Sequence, residues 1–131
     1  MEDFEAVLAR APDRELSLLP AAHITTALGK LDASADYWRR LSAVNPWHSP
    51  YHAGYAQTLL NRGELAQARD ACRAALRLNP ANTKGRQVLV EVLLRQGQGD
   101  QARKEFDALL GIAPPERANE LRRWYEEQMR H

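Results

Sequence analysis

Two of the four histidines and the single cysteine are the residues of this chain that could suggest a metal site. His48 and His52 lie four positions apart, which would place both imidazoles on one helix face if both residues were helical. However, Ser49 and Pro50 are typical of a helix start, with Ser49 as the N-cap and Pro50 at the first helical position, so His48 would precede the helix. A structural zinc site needs four ligands at characteristic spacings, and Cys72 has no second cysteine to join it. We therefore predict no metal site.

The sequence also lacks the motifs of catalytic chemistry. HExxH, GxSxG, CxxCH and a glycine-rich phosphate loop do not occur. Residue types suited to acid–base catalysis are present, but nothing in the sequence places them in one pocket. We predict that the chain is not an enzyme and requires no cofactor.

Composition argues against two further classes of protein. The 131 residues include 18 basic and 17 acidic side chains, so the strongly basic surface of a nucleic-acid-binding protein is not expected. No apolar run approaches the roughly 20 residues that span a bilayer, and the acidic start of the chain differs from a secretion signal. We expect a soluble helical protein that would be cytoplasmic if the chain is complete.

A spacing of 34 residues recurs in three classes of residue. Prolines, glycines and small residues each return at this interval, at Pro12, Pro46, Pro80 and Pro114, at Gly29, Gly63 and Gly97, and at Ser34, Ala68 and Ala102. Chance is a poor explanation, because the three classes are independent. This period is typical of a helix–turn–helix repeat that stacks into a solenoid. We predict an all-α solenoid of antiparallel helix pairs, each pair burying its apolar face against its neighbours.

The clearest unit is 49–82. Tyr55, Ala56 and Leu59 are spaced to share one face of its first helix, and Gly63 supplies the turn that follows. Pro80 ends the second helix. The apolar stripe of that second helix consists of Leu65, Ala68, Cys72, Ala75 and Leu76.

Cys72 shares its repeat position with three aromatic residues. Counting in steps of 34 from Cys72 leads to Phe4, Trp38 and Phe106. Free cysteine is among the most buried residue types and packs as a small hydrophobic side chain. The phase therefore favours a packing role for Cys72.

The first unit contains a proline inside its expected first helix. Leu19 precedes Pro20, and a residue before proline is disfavoured in the α region. We expect this helix to begin at Pro20 or to kink there, with 13–19 as a separate turn or short helix.

At the glycine, proline and small positions above, the sequence resembles the tetratricopeptide repeat (TPR) family, in which a turn follows helix A and a proline closes helix B. The resemblance is specific for the second and third units and looser upstream. It implies a right-handed superhelix formed by one domain, 1–131. The expected parts are a half repeat or N-terminal cap at 1–12, repeats at 15–48, 49–82 and 83–114, and a C-terminal capping helix at 115–131.

Ligands of this family usually lie along the concave face that the A helices line. Carried over by position, that face includes His23, Ala53, Gln57, Asn61, Lys84, Gln87, Glu91 and Arg95. Some members grip the C-terminal carboxylate of heat-shock chaperones through lysine, asparagine and arginine. In this chain those positions read Leu19, His23, Gly54, Lys84 and Val88, so only Lys84 fits.

The resemblance implies a scaffold or adaptor that binds a protein or peptide, extended or helical, on its concave face. Two alternatives stay open: a solvated face without a ligand, and an accessory domain of a larger enzyme or electron-transfer protein. Trp47 and Trp124 have no assigned core position. Each could anchor a partner, although we favour the interpretation that each covers an end of the stack.

The N-terminal segment carries an apolar stripe at Phe4, Val7 and Leu8. It corresponds to a helix B without its helix A. An uncovered stripe is a ready contact surface. We expect this segment either to dock on the 20–28 helix as a cap or to pair with a second copy of the chain as a homo-oligomer. Met1 could begin either a complete small protein or a piece of a longer one.

Overall fold

The computed structural model describes residues 15–130, and these form a stack of helices. No strand occurs within that range. Seven α-helices follow one another along the chain: α1 Glu15–Ala27, α2 Leu31–Val44, α3 Ser49–Asn61, α4 Leu65–Leu78, α5 Thr83–Arg95, α6 Gly99–Ile112 and α7 Ala118–Met129, with a 3₁₀ turn at Pro115–Arg117 before α7. The predicted all-α solenoid is confirmed.

The helix boundaries repeat with the period of the sequence. The helices α1, α3 and α5 begin at 15, 49 and 83 and end at 27, 61 and 95, and α2, α4 and α6 are spaced in the same way. In the turns between paired helices, Gly29, Gly63 and Gly97 have φ values of 73°, 81° and 76°. This left-handed conformation is accessible to glycine at little cost, which explains why glycine recurs at each of these turns.

Consecutive helices pack side by side, and most extensively within the pairs α1–α2, α3–α4 and α5–α6. In addition α3 packs directly on α5, whereas α1 makes much less contact with α3. Two hydrophobic clusters result. The larger runs from α3 to α7, and the smaller joins α1, α2 and the start of α3 through Leu18, Ala22, Trp38, Leu41 and Tyr51.

The first helix passes through Pro20, so the expectation that it begins there is wrong. Leu18, Ala21 and Ala22 are buried on either side of the proline and anchor the helix to the core. Proline removes the hydrogen bond to the carbonyl of Leu16, four residues earlier. Because Leu16 is 90% exposed, water can satisfy that carbonyl, and the helix continues.

Ser49 does not cap α3, which corrects the predicted N-cap. His48 precedes the helix as expected, but its side chain makes no capping bond. The buried Ser49 hydroxyl instead donates to the Ala75 carbonyl (2.8 Å) and accepts from Asn82 Nδ2 (2.7 Å). Asn82 Oδ1 in turn accepts from the Gly85 amide (2.9 Å) and caps α5. Ser49 thus links two repeats.

The half repeat expected at 1–12, with Phe4, Val7 and Leu8, lies outside the described residues. Within 15–130 no helix is long and apolar enough to cross a bilayer.

Candidate functional site

A cavity of about 340 Å³ opens between α3, α5 and the C-terminal helix. We call it the polar pocket. Its two long walls are α3 and α5, and the 3₁₀ turn and α7 close the third side. The lining residues are Gln57, Leu60, Thr83, Lys84, Gln87, Val88, Glu91, Arg117 and Trp124.

Hydrogen bonds hold several walls of the polar pocket in place. Gln57 Nε2 donates to Asn61 Oδ1 (3.1 Å), and Arg95 Nη2 pairs with Glu91 Oε2 (3.3 Å). In the amide orientation that satisfies both neighbours, Gln128 Nε2 donates to Glu91 Oε1 (3.2 Å) and Gln128 Oε1 accepts from Trp124 Nε1 (3.3 Å). The Glu91 carboxylate therefore has a partner on each oxygen, and α7 is tied to α5.

The charge that remains available in the polar pocket is positive. Lys84 is exposed and makes no hydrogen bond or ion pair with any other described residue. Arg117 lies 4.0 Å from Glu120, a loose pair in solvent. Since Glu91 is already paired, Lys84 is the group best placed to attract an acidic group of a ligand.

A second cavity of about 500 Å³ lies in the space between α1 and α3. We call it the aromatic pocket. His23 and Trp38 meet edge to face with ring centroids 5.3 Å apart, and His48 and Tyr51 meet in the same way at 4.3 Å. Its other lining residues are Leu19, Pro50, Ala53, Gly54, Asn79, Ala81, Asn82, Thr83 and Lys84.

Trp38 reaches the aromatic pocket because Gly54 has no side chain. A Cβ built on Gly54 would lie 2.8 Å from the indole ring, closer than atoms can pack. On its other side the indole Nε1 donates to Thr26 Oγ1 (3.3 Å). Glycine inside a helix normally lowers stability. Here it is explained by the Trp38 ring, which leaves no room for a side chain at this position.

Tyr51 forms one wall of the aromatic pocket and stays neutral. Burial raises the pKa of Tyr51 to about 12, and the hydrogen bond from its hydroxyl to Glu15 Oε2 (2.6 Å) contributes to the shift. The same hydrogen bond joins α1 to α3 across the gap between them. The aromatic pocket therefore offers uncharged ring surfaces from Trp38 and Tyr51.

The two pockets meet at Thr83 and Lys84, which line both. Of the residues predicted from the sequence, Gln57, Lys84, Gln87 and Glu91 lie in the polar pocket, and His23 lies in the aromatic one. Asn61 and Arg95 line neither pocket and contact them through Gln57 and Glu91. Ala53 is buried and lines the aromatic pocket.

Sequence reasoning missed Arg117 as a lining residue and favoured a role for Trp124 in covering an end of the stack over a role as a partner anchor. Trp124 packs against the larger core and also lines the polar pocket, so it combines both interpretations. The sequence feature that pointed to a special role for Trp124 was its lack of a core position in the repeat. Trp47 is 77% exposed and lines neither pocket, so it covers little of the stack.

The residues considered as metal ligands have other contacts in the fold. His52 Nε2 contacts the Pro46 carbonyl (2.9 Å), and Arg86, the residue 34 positions later, contacts the Pro80 carbonyl (3.1 Å) in the same way. Cys72 lies in the larger core, where burial raises the pKa of its thiol to about 12. Within 15–130 no three histidine, cysteine or acidic side chains are grouped as a metal site would require.

The tetratricopeptide repeat family model matches residues 59–125 of the chain. This is just over half of the sequence. The chain belongs to the tetratricopeptide repeat family. A comparison with curated protein sequences finds no match.

Solved structures share the fold. MamA MSR-1 superposes with a TM-score of 0.75 at 20% identity, over 83% of this chain and 63% of that one. The Arabidopsis OM64 TPR domain gives 0.78 at 15% identity, over 86% and 91%. The first TPR of Spaghetti (RPAP3), bound to the HSP90 peptide SRMEEVD, gives 0.75 at 21% identity, over 88% and 95%. The chain thus spans less than two thirds of the MamA MSR-1 chain, and similarity at this level of identity is similarity of fold.

Proposed function

We propose that the chain is an interaction module that binds a peptide segment of a partner protein, extended or helical, across the two pockets. The observation that carries this proposal is the continuous surface along α1, α3 and α5, in which the aromatic and polar pockets share Lys84. A tetratricopeptide array is normally a surface that holds other molecules, and we propose no reaction for it.

The aromatic pocket suits a large apolar side chain of the partner. Trp38 and Tyr51 line it as buried rings, with the exposed imidazoles of His23 and His48 beside them. Aromatic and aliphatic anchors inserted in such pockets supply much of the binding energy at protein interfaces. The cavity of about 500 Å³ is large enough for one such side chain.

The polar pocket suits the backbone and an acidic group next to that anchor. Gln57 and Gln87 carry amides, which can both donate and accept, as the peptide backbone does. Lys84 lies where the two pockets meet and has no ion partner among residues 15–130. We therefore expect a partner segment with an apolar residue followed or preceded closely by an acidic one.

We also propose the repeat boundaries 15–48, 49–82 and 83–114, with 115–131 as a capping helix. Their support is the recurrence of helix starts at intervals of 34 residues. In α7, Leu121 and Tyr125 are buried, while Arg122 and Glu126 are exposed. This apolar inner side and charged outer side suit a helix that covers the stack.

Selection from a random peptide library displayed on phage tests the proposal with the purified chain. The selected peptides are then synthesised and titrated against the protein and its variants. Lys84→Ala combined with Gln87→Ala, and separately His23→Ala, should weaken binding by about tenfold or more. Lys84 and His23 are exposed and Gln87 is half-buried, so the Tm should change little.

The matched control replaces two exposed arginines of α4 outside both pockets, Arg73→Ala with Arg77→Ala. This variant should bind the selected peptides as the unmodified chain does. Peptides that bind the Lys84/Gln87 variant with full affinity would place the binding surface on another face of the molecule.

A further inference from the structure

The described lining of the aromatic pocket holds no acidic residue. Among the lining residues within 15–130 four are titratable: His23 of α1, His48 of the loop before α3, Tyr51 of α3 and Lys84 of α5. The lining residues from α2 and from the connection between α4 and α5 are uncharged. Because the pKa of Tyr51 is about 12, these residues place no negative charge in the pocket near neutral pH.

Two carboxylates adjoin the two pockets, and each already has a partner. Glu15 accepts a hydrogen bond from the Tyr51 hydroxyl (2.6 Å) and lines neither pocket. Glu91 lines the polar pocket, where Arg95 and Gln128 occupy its two oxygens. The basic groups of the joined surface are therefore left for a ligand.

His23 and His48 flank the two buried rings of the aromatic pocket. The ring centroids of Trp38 and Tyr51 are 6.5 Å apart, and each imidazole packs on one of them. Both histidines are exposed, whereas the two rings are 6% and 5% exposed. Within 15–130 neither imidazole makes a hydrogen bond or an ion pair. A ligand in this pocket therefore meets imidazoles that have no other polar partner.

We infer, on the basis of the proposed function, that the bound segment carries carboxylates beside His23 and His48 as well as Lys84, and that it binds more tightly when the two imidazoles are protonated. Histidine is the side chain whose charge changes between about pH 8 and pH 5. Acidic side chains, with ordinary pKa values near 4, stay ionised over most of that range. Since a carboxylate attracts the protonated imidazole more strongly than the neutral one, affinity rises as the pH falls.

Peptide binding at two pH values tests this link. The probe is the tightest histidine-free peptide selected on phage at pH 7.5, titrated into the full chain by isothermal calorimetry. From pH 7.5 to pH 5.5 its affinity should rise by about fivefold for each histidine that meets a carboxylate. At pH 6.5 binding should also take up protons, which titrations in two buffers of different ionisation enthalpy reveal. The same peptide with its acidic residues replaced by their amides should show neither effect.

His23→Gln and His48→Gln remove the titration and keep a polar side chain. Each single variant should lose part of the rise in affinity, and the double variant should lose the rise and the proton uptake together. The matched control is His52→Gln, because His52 contacts the Pro46 carbonyl and lines neither pocket. This variant should keep the full response to pH. Circular dichroism at both pH values checks that every variant keeps its helices.

Three results would overturn the link and leave the proposed function standing, provided that the peptide needs Lys84 and Gln87. They are an equal affinity at both pH values, a weaker affinity at pH 5.5, and a rise that survives in the double histidine variant. Selected peptides that bind the Lys84/Gln87 variant with full affinity would instead overturn the proposed function, and the link with it.

Discussion

The N-terminal helix pair and the C-terminal part of the stack have the same helix boundaries and different cores. Trp38 and Cys72 occupy one repeat position, and Gly54 and Val88, on the helices that follow, occupy another. A large ring thus faces glycine in the first repeat interface, and a small thiol accompanies valine in the second. The comparison indicates that the loss of the large ring on one side of the interface is partly offset by a larger residue on the other side, as close packing favours.

The two regions also differ in polarity at equivalent positions of the repeat. In the N-terminal region three hydroxyls connect α1, α2 and α3: Ser34 Oγ lies 2.5 Å from Thr26 Oγ1 and 3.3 Å from Thr58 Oγ1. One repeat later the corresponding residues are all apolar, namely Leu60, Ala68 and Val92. The buried hydroxyls of Ser34 and Thr58 are tolerated because each has a hydrogen-bond partner.

The spacing between the first helices of neighbouring repeats also differs between the two regions, and the wider spacing holds the aromatic pocket. Apolar side chains bring α3 and α5 into direct contact, whereas α1 makes little contact with α3 and meets it through the Tyr51–Glu15 hydrogen bond. The aromatic pocket occupies the space that this arrangement leaves. A repeat can therefore keep its helix boundaries and still acquire a cavity through its side chains.

A large effect should come from adding side-chain volume at Gly54. A Cβ there would lie 2.8 Å from Trp38, and Gly54→Val should destabilise the fold by about 3 kcal/mol in urea unfolding. The control is Gly85→Ala, whose Cβ would meet Ala75 at an ordinary 3.4 Å. That substitution should be neutral or stabilising by up to about 1 kcal/mol, because alanine favours the helix.

Replacing the pair Trp38 and Gly54 by the residue types found one repeat later tests the same comparison more sharply. Trp38→Cys alone should cost about 3–5 kcal/mol through the cavity that it leaves. Combined with Gly54→Val it reproduces the pair found at Cys72 and Val88. The double variant should be more stable than the sum of the two losses predicts, by about 1 kcal/mol or more. Strict additivity would contradict the idea that the two positions share one volume.

A smaller effect on stability should come from ionisation of the buried thiol of Cys72, which occupies the repeat position of Trp38. Burial raises the pKa of Cys72 to about 12, above the value of an exposed thiol. Below the pKa of the unfolded thiol, near 8.5, both states keep the proton and stability is complete. As the pH rises toward the folded pKa only the unfolded state ionises, so the free energy of unfolding should fall by about 2 kcal/mol at pH 10.

Cys72→Ala separates this effect from the titration of other groups. The difference in unfolding free energy between the variant and the unmodified chain, measured from pH 7 to pH 10, should shrink as the pH rises. A constant difference would mean that the thiol ionises equally in both states. In the native protein at pH 8 the thiol should also resist alkylation by iodoacetamide.

The smallest effects should come from the hydroxyls between α1 and α3. Ser34→Ala should cost about 1 kcal/mol, because Ser34 bonds to hydroxyls on both neighbouring helices. Thr58→Val, which imitates Val92, should cost less, since Ser34 keeps its shorter bond to Thr26. Ser42→Ala is the control, because Ser42 bonds only within its own helix to the Trp38 carbonyl (2.7 Å). Chemical unfolding curves that rank Ser42→Ala as the most damaging would contradict the proposed link.

Most of the helical plan could be predicted from the residues themselves. Glycine and proline act on the backbone within a few residues, so their period of 34 residues marked the ends of the helices before any packing was known. The burial of Ala68, Ala102 and Cys72 followed from the same phase. Pro20 and Ser49 were misread because distant contacts decided both: burial of Leu18 and Ala22 holds the helix across the proline, and Ala75 and Asn82 occupy the serine hydroxyl.

The candidate site was only partly predictable. Four residues of the polar pocket were predicted from their positions in the repeat, because the helical period alone places them on one face: Gln57, Lys84, Gln87 and Glu91. The two pockets, and the approach of Arg117 and Trp124 to α3, depend on how far the helices stand from one another. That distance is set by the summed volumes of side chains far apart in sequence, such as Trp38 against Gly54. The sequence by itself determined the helices and their order, and the tertiary structure decided where the space between them remains open.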